Sequence, residues 1–485
     1  QSTWGQQFFN SSIKMWTALP LIILLTWGVI PVPARLLPSS YFHRNHNFKR
    51  LPTPVADDVG SKLILTPYIE DGNIEEARNL SAVRGGPFPD DIPSYSGFFT
   101  VNAQYNSNLF FWFFPAEHGY ETAPLLVWLQ GGPGSTSLYG LFTELGPFFV
   151  AFDEASLNKN PYSWHKNHSI IFIDNPVGTG FSFTNSTQGY ATDQVQVGAE
   201  LYSAIVQFLR LFPELQKNPF FITGESYAGK YVPALAYTIH HNNPTAELKV
   251  NLHGIAVGNG FTDPINILDY SHFVYQLGLV DTNAYNDMKH VEEAGKKAIQ
   301  EERLVDAFLS WNTDLDLFYD KSDYSNIYNL LYEVEPEVGG DLYNFVERPE
   351  VRLALHVGDQ AFSGGGTVYQ LMVPDFMNTV RPWLEEIIEN YRVLYYSGQM
   401  DIIVAYPLSV GLYNTLEFKA AEEYRNAERV PWYVDGGLAG YMKSGGNFTE
   451  VLVRNAGHMV PTDQPVWALD LITRFTSDNL LPSRK

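Results

Sequence analysis

The chain has 485 residues, enough for one large core with an inserted subdomain or for about two to three ordinary domains, and at 45% hydrophobic and 15% aromatic it is composed for packing rather than disorder. Its formal charge of −22 repels polyanions, which sets aside nucleic acid and anionic membranes as partners and suits an acidic compartment. It contains no cysteine, which excludes disulfides, thiolate zinc sites and a cysteine nucleophile.

Residues 15–34 carry no charge and centre on Leu21-Ile22-Ile23-Leu24-Leu25, with Lys14 before and Arg35 after. Pro20, Pro31 and Pro33 interrupt the run, and Gly28 and Ala34 offer small residues for cleavage. This is the pattern of a signal peptide; a signal anchor is the competing reading. Residues 1–34 are therefore expected to be leader and signal peptide, with Met15 a possible true start. Residues 35–60, rich in proline and basic side chains, read as a linker or propeptide. The sequons at Asn79, Asn167, Asn185 and Asn447 fit the secretory route as glycosylation sites. The expected location is secreted or lysosomal, with no stable membrane span after signal cleavage. A lack of cysteine ordinarily leans cytosolic, but a chain this long can be stable on its core alone.

Short apolar runs at residues 109–114 (LFFWFF), 125–129 (LLVWL) and 170–173 (IIFI) predict buried strands. Residues 193–212 predict a helix capped by Thr192, with Val197, Leu201, Ile205, Phe208 and Phe212 on one apolar face. A strand at Phe220-Phe221-Ile222, a tight turn at 224–229 and a helix at 231–241 follow. Such alternation predicts an α/β fold, a mostly parallel sheet with helices on both faces. Residues 264–385 are more charged and more helical, as at 287–309, and read as an inserted cap. The strand series resumes at residues 393–396 and ends at 450–455, before a closing helix at 464–480.

The chemistry lies in four turns. Gly224-Glu225-Ser226-Tyr227-Ala228-Gly229 joins a strand to a helix. Such a turn presents a serine hydroxyl above a sheet and leaves no room for bulky neighbours. Taken alone, it would also pass for a glycine-rich loop. Asp401 follows the strand at 393–396, and His458 lies in a glycine-bearing turn after the last strand. The order Ser226, Asp401, His458 is that of an α/β-hydrolase triad. After the strand at 125–129, Gln130-Gly131-Gly132-Pro133-Gly134 can turn backbone N–H groups into a cleft, as an oxyanion hole requires.

Together the blocks WLQGGPGSTS, FIDNPVGTGFS, TGESYAGKYVP, GNG and GHMVP resemble the serine carboxypeptidases, in order and spacing, from about residue 96 to the C-terminus. Gln130, where the family usually has Asn, resembles the vitellogenic-like branch. The resemblance implies one α/β-hydrolase domain over residues 61–485, cleaving C-terminal residues from peptides and proteins through an acyl-enzyme. It implies Ser226 as nucleophile, His458 as general base and acid, and Asp401 as its orienting partner. The N–H groups of Gly132 and Tyr227 would form the oxyanion hole. Gln130, Gly131, Glu144 and Glu225, with Trp128 alongside, would bind the substrate carboxylate. Two carboxyl groups held close keep a proton at acidic pH, so one can donate to that carboxylate, which implies an acidic optimum. The family's cysteine after GGPG is Ser135 here.

Two readings compete: an acyltransferase, esterase or lipase on the same triad, and a non-catalytic protective binding protein on the same scaffold. A zinc carboxypeptidase is disfavoured, since no H-E-x-x-H cluster is present; neither metal nor cofactor is expected.

Overall fold

The computed structural model describes residues 59–477 and 479. The expected signal peptide, and the linker up to residue 58, lie outside the described residues. Among the described residues no helix is long and apolar enough to cross a membrane.

Unbroken apolar runs form strands that are buried on both sides. The strands are β1 (Tyr95–Asn102), β2 (Ser107–Phe114), β3 (Leu125–Leu129), β4 (Phe148–Val150), β5 (Leu157–Lys159), β6 (Ser169–Ile173), β7 (Phe220–Glu225), β8 (Leu252–Gly258), β9 (Arg392–Gly398), β10 (Val430–Val434), β11 (Gly437–Gly445) and β12 (Phe448–Val453). All but β4 and β5 join one ten-stranded sheet in the order β1-β2-β6-β3-β7-β8-β9-β12-β11-β10. The central pairings from β6 through β12 are parallel. Both edges are antiparallel.

Alternate side chains of each central strand enter opposite cores. Leu125, Val127 and Leu129 of β3 join one cluster. Leu126 and Trp128 join the other. Period-two alternation with both faces covered explains why the run carries no polar residue. The first face is covered by the helices Gln194–Leu211 and Ala228–Asn242, the second by Ser137–Thr143 and Pro465–Thr476.

The predicted helix at 193–212 spans Gln194–Leu211, and its five predicted apolar positions are buried. Its cap is Asp193, not Thr192. Asp193 Oδ1 accepts from the Gln196 N–H at 2.9 Å, while Thr192 Oγ1 accepts only from the Gln196 side chain. The helical stretch at 287–309 is two helices, Thr282–Gln300 and Leu304–Ser322, broken where Glu302 takes a left-handed φ of 57°. The helix expected from 231 starts three residues earlier, at Ala228, directly behind the serine turn. Between β8 and β9 the chain from Pro264 to Asn390 forms helices and no strand, with a loop over residues 323–341.

Candidate active site

In a parallel sheet, every loop that follows a strand emerges at the same edge, and ligands bind there. β3 leads to Gln130, β6 to Asp174, β7 to Ser226, β8 to Asn259, β9 to Asp401 and β12 to His458.

Ser226 sits between β7 and its helix at φ 61°, a left-handed conformation that a side-chain-bearing residue keeps only when its surroundings impose it. Here the backbone is held on both sides. The Ser226 N–H donates to Gly258 O at 2.9 Å, and its carbonyl accepts from the N–H groups of Gly229 and Phe261 at 2.8 Å each. The turn tolerates no bulk. A Cβ on Gly224 would lie 2.9 Å from that of Ala228, and one on Gly229 2.6 Å from the Phe261 nitrogen. Alanine at 228 therefore fits only because 224 is glycine.

His458 Nδ1 and Asp401 Oδ2 are 2.7 Å apart, with both residues buried. The histidine backbone N–H donates to Tyr328 O at 2.6 Å, and the Tyr328 ring lies 5.4 Å from the imidazole. Asp463 Oδ2 supports this turn by accepting from the Gly457 N–H at 2.6 Å and from Asn329 Nδ2 at 3.0 Å. The other ring nitrogen, Nε2, is buried with no hydrogen-bond partner among the described residues. Gly398 lets the aspartate and histidine turns touch, since a Cβ there would meet the carbonyl of Ala456 at 2.6 Å.

Asn259, within the GNG block, was not identified as a site residue from sequence. Its Nδ2 donates to Asp401 Oδ2 at 2.6 Å and its Oδ1 accepts from the Gly398 N–H at 3.2 Å. The only sequence signal was a polar residue between glycines after an apolar run. Asp174, inside FIDNPVGTGFS, has a similar scaffold role. It accepts from Thr136 Oγ1 and the Ser137 N–H on one oxygen and from the Phe181 N–H on the other. Burial pushes its pKa up to about 6 against those hydrogen bonds.

The loop after β3 abuts the serine turn. A Cβ on Gly131 would lie 2.6 Å from the Tyr227 nitrogen and 2.8 Å from Ser226 Cβ, and Gly132 takes a φ of 110°. Beside it, Trp128 Nε1 donates to Gln130 Oε1 at 2.9 Å. An indole N–H can only donate, so it fixes which end of the amide is oxygen. Gln130 Nε2 then faces Glu225 Oε1 at 2.7 Å and Glu144 Oε1 at 3.2 Å. Both glutamates are 1% exposed. Burial raises the pKa of each, and the neighbouring Glu144 carboxyl raises Glu225 further. Two carboxyls brought to one amide in a dry pocket keep a proton between them. The extra methylene of Gln130 relative to Asn thus spans to both acids, with Gly140 leaving room for it.

All the residues expected in the site therefore converge at one edge of the sheet, except the four sequon asparagines, which are exposed elsewhere. The same serine, aspartate and histidine occur on unrelated folds in other chain orders. Serine first, aspartate second and histidine last, on turns above a doubly covered parallel sheet, is the order of the α/β-hydrolases, the class this chain falls in. Within that class, residues 85–478 match the model of the serine carboxypeptidase family. The chain is 49% identical over 430 residues to the venom serine carboxypeptidase of Apis mellifera, covering 87% of this chain and 92% of that one. It is 43% identical over 476 residues to the probable serine carboxypeptidase CPVL of Homo sapiens, covering 95% and 97%. A solved prohormone-processing carboxypeptidase from Saccharomyces cerevisiae shares the fold, with a TM-score of 0.71 at 23% identity over 83% of this chain and 96% of that one. The chain belongs to the serine carboxypeptidase family and is a serine-type carboxypeptidase.

Proposed function

We propose that this enzyme removes single residues from peptide C-termini through an acyl-enzyme on Ser226. One observation carries the reading: the Gln130–Glu144–Glu225 group adjoins the serine turn, since Glu225 immediately precedes Ser226 and Gly131 packs on it. A carboxylate held there puts the last peptide bond, and no other, within reach of Ser226.

In this mechanism His458 Nε2 takes the proton from Ser226 Oγ as the hydroxyl attacks the carbonyl carbon, then gives it to the leaving amino group. The Asp401 contact at Nδ1, which leaves Nε2 as the ring nitrogen for Ser226, supports that assignment. Asp401 holds the tautomer and stabilises the imidazolium. The N–H groups of Gly132 and Tyr227 receive the oxyanion. Water, activated by the same histidine, then cleaves the ester. The substrate carboxylate is held by the Gly131 N–H, Gln130 and the proton-sharing glutamates, with Trp128 fixing Gln130. The raised pKa values of that pair favour acidic pH.

The enzyme works in the secretory pathway, secreted or lysosomal, as the acidic composition and the exposed sequons Asn79, Asn167, Asn185 and Asn447 suggest. Residues 264–385 act as the cap over the site.

The test is a peptide and its C-terminally amidated twin, incubated at about pH 5 and followed by mass spectrometry. Stepwise trimming of the free acid alone, abolished in Ser226→Ala, is expected. No trimming, with Ser226 still labelled by a fluorophosphonate, would replace this reading with acyl transfer or ester hydrolysis. Neither trimming nor labelling would leave a binding protein.

A further inference from the structure

The cap helix Gly366–Phe376 touches both halves of the site. At its start, Gly365 and Gly134 meet backbone to backbone, both at left-handed φ: a Cβ on Gly134 would lie 2.7 Å from Gly365 O and 3.2 Å from Val368 Cβ. Gly134 belongs to the loop that carries Gly132. At its end, the helix meets the serine turn through Lys230, a fully buried ammonium on the helix that follows Ser226. Lys230 Nζ donates to the carbonyl oxygens of Asp375 at 2.6 Å and Phe376 at 2.8 Å and lies 3.8 Å from Asp375 Oδ2. Those carbonyls are the negative end of the cap helix, where a cation is favoured.

Tyr227 is clasped into the same junction. Its ring lies 5.2 Å from Lys230 Nζ and 5.0 Å from the Phe376 ring. Gln194 Nε2 bridges Asp375 Oδ2, at 2.8 Å, and the Tyr227 hydroxyl, at 3.4 Å. Burial draws the Lys230 pKa down to about 8 against the pull of Asp375 and Asp263, so the group stays charged where the enzyme works.

We propose that the helix Gly366–Phe376 is a brace that sets the spacing between the Gly132 and Tyr227 N–H groups, with Lys230 as the positioning residue at its elbow end. A buried lysine is costly and is retained here where it fixes two backbone carbonyls. This rests on the assignment of those two N–H groups as the oxyanion hole. An oxyanion hole is sensitive to such spacing: losing one donor outright costs about a hundredfold or more in rate, and displacing it costs part of that.

The test uses the full enzyme carrying Lys230→Met, close in length but unable to donate. At about pH 5, kcat for a free-acid peptide is expected to fall at least ~10-fold with KM within about twofold. Affinity for a peptide aldehyde, which forms a tetrahedral adduct with an oxyanion, should fall in proportion to kcat, while affinity for a product peptide stays. If Lys230→Met is not secreted folded, Gln194→Met loosens the same junction and should give the same split more weakly. Unchanged kcat in a folded variant would overturn the brace. So would parallel losses in kcat, product affinity and Tm, which mark general unfolding. Trimming that persists in Ser226→Ala would instead overturn the underlying site assignment.

Discussion

Asn259 and His458 share one oxygen of Asp401: Oδ2 accepts from Asn259 Nδ2 at 2.6 Å and faces His458 Nδ1 at 2.7 Å. The asparagine also receives the Gly398 N–H, so it couples the aspartate's direction to the strand that delivers it. Asn259→Ala is expected to lower kcat by roughly 10- to 100-fold with little change in KM, because the loss falls on proton transfer rather than on binding. Asn259→Asp should be worse than Ala, since it sets a like charge against Oδ2. Steady-state kinetics on one peptide at fixed pH distinguishes the two.

Gln130→Leu removes the amide that reaches both glutamates and leaves Trp128 Nε1 without its acceptor. The expected outcome is a KM at least ~10-fold higher for free-acid peptides and a smaller change in the inhibition constant of their uncleaved amidated twins, since only the former present a carboxylate. Gln130→Asn shortens the side chain by one methylene and should raise KM more modestly. Comparing the free-acid substrate with its amidated twin as inhibitor on each variant checks the assignment.

In the proposed carboxylate site, the proton shared by Glu144 and Glu225 should make substrate binding pH-dependent. Burial lifts Glu144 from 4.5 to about 7 and Glu225 well above its ordinary value. Below that range one carboxyl can donate to the substrate; above it the pair turns anionic and repels. KM for a free-acid peptide should therefore rise as pH passes about 7, with kcat less affected. Glu225→Gln should flatten the rise, because an amide donates at every pH. A pH–KM profile with the same slope in both enzymes would refute this.

Stability should depend on pH through two opposed groups. Glu144, Glu225 and Asp314, on the helix Leu304–Ser322, have folded pKa values raised by burial, and Asp314 is further raised by Glu292. Raised carboxyls hold protons that the unfolded chain would release, so their contribution is present at low pH and lost as pH climbs through the folded values. His165 and His168 are drawn down by burial from 6.5 to about 4, so their contribution is present above 6.5 and lost as pH falls toward 4. Tm should pass through a maximum on the acidic side of neutrality and decline above it. Asp314→Asn, which removes a buried carboxyl set against that of Glu292, should lessen the decline on the neutral side.

Much of this was legible before the fold was known. The runs within β2, β3, β6, β7 and β9 are apolar without a break because both faces are covered, whereas β12 carries Thr449 and Glu450 inside the strand. The strand β11, paired with β10 on one side and β12 on the other, was missed because its residues, GLAGYMKSG, mix glycine with half-exposed positions and show neither period. Asn259 was missed as a site residue for a different reason. Its meaning lies in a partner 142 positions away, and a glycine-flanked asparagine gives no hint of that distance. Lys230 reads in sequence as an ordinary helix lysine; only the docked carbonyls of Asp375 and Phe376 show that it is buried.

β12 is the last strand made, and it enters between β9, which it meets in parallel, and β11, which it meets antiparallel. The proposed general base, His458, lies in the turn that follows it. A growing chain can have its serine turn, its glycine loop and even its aspartate in place while lacking the group that would activate them. Catalytic competence therefore coincides with completion of the sheet, so the compartment that makes this protease meets it as a folded enzyme and not as a half-built one.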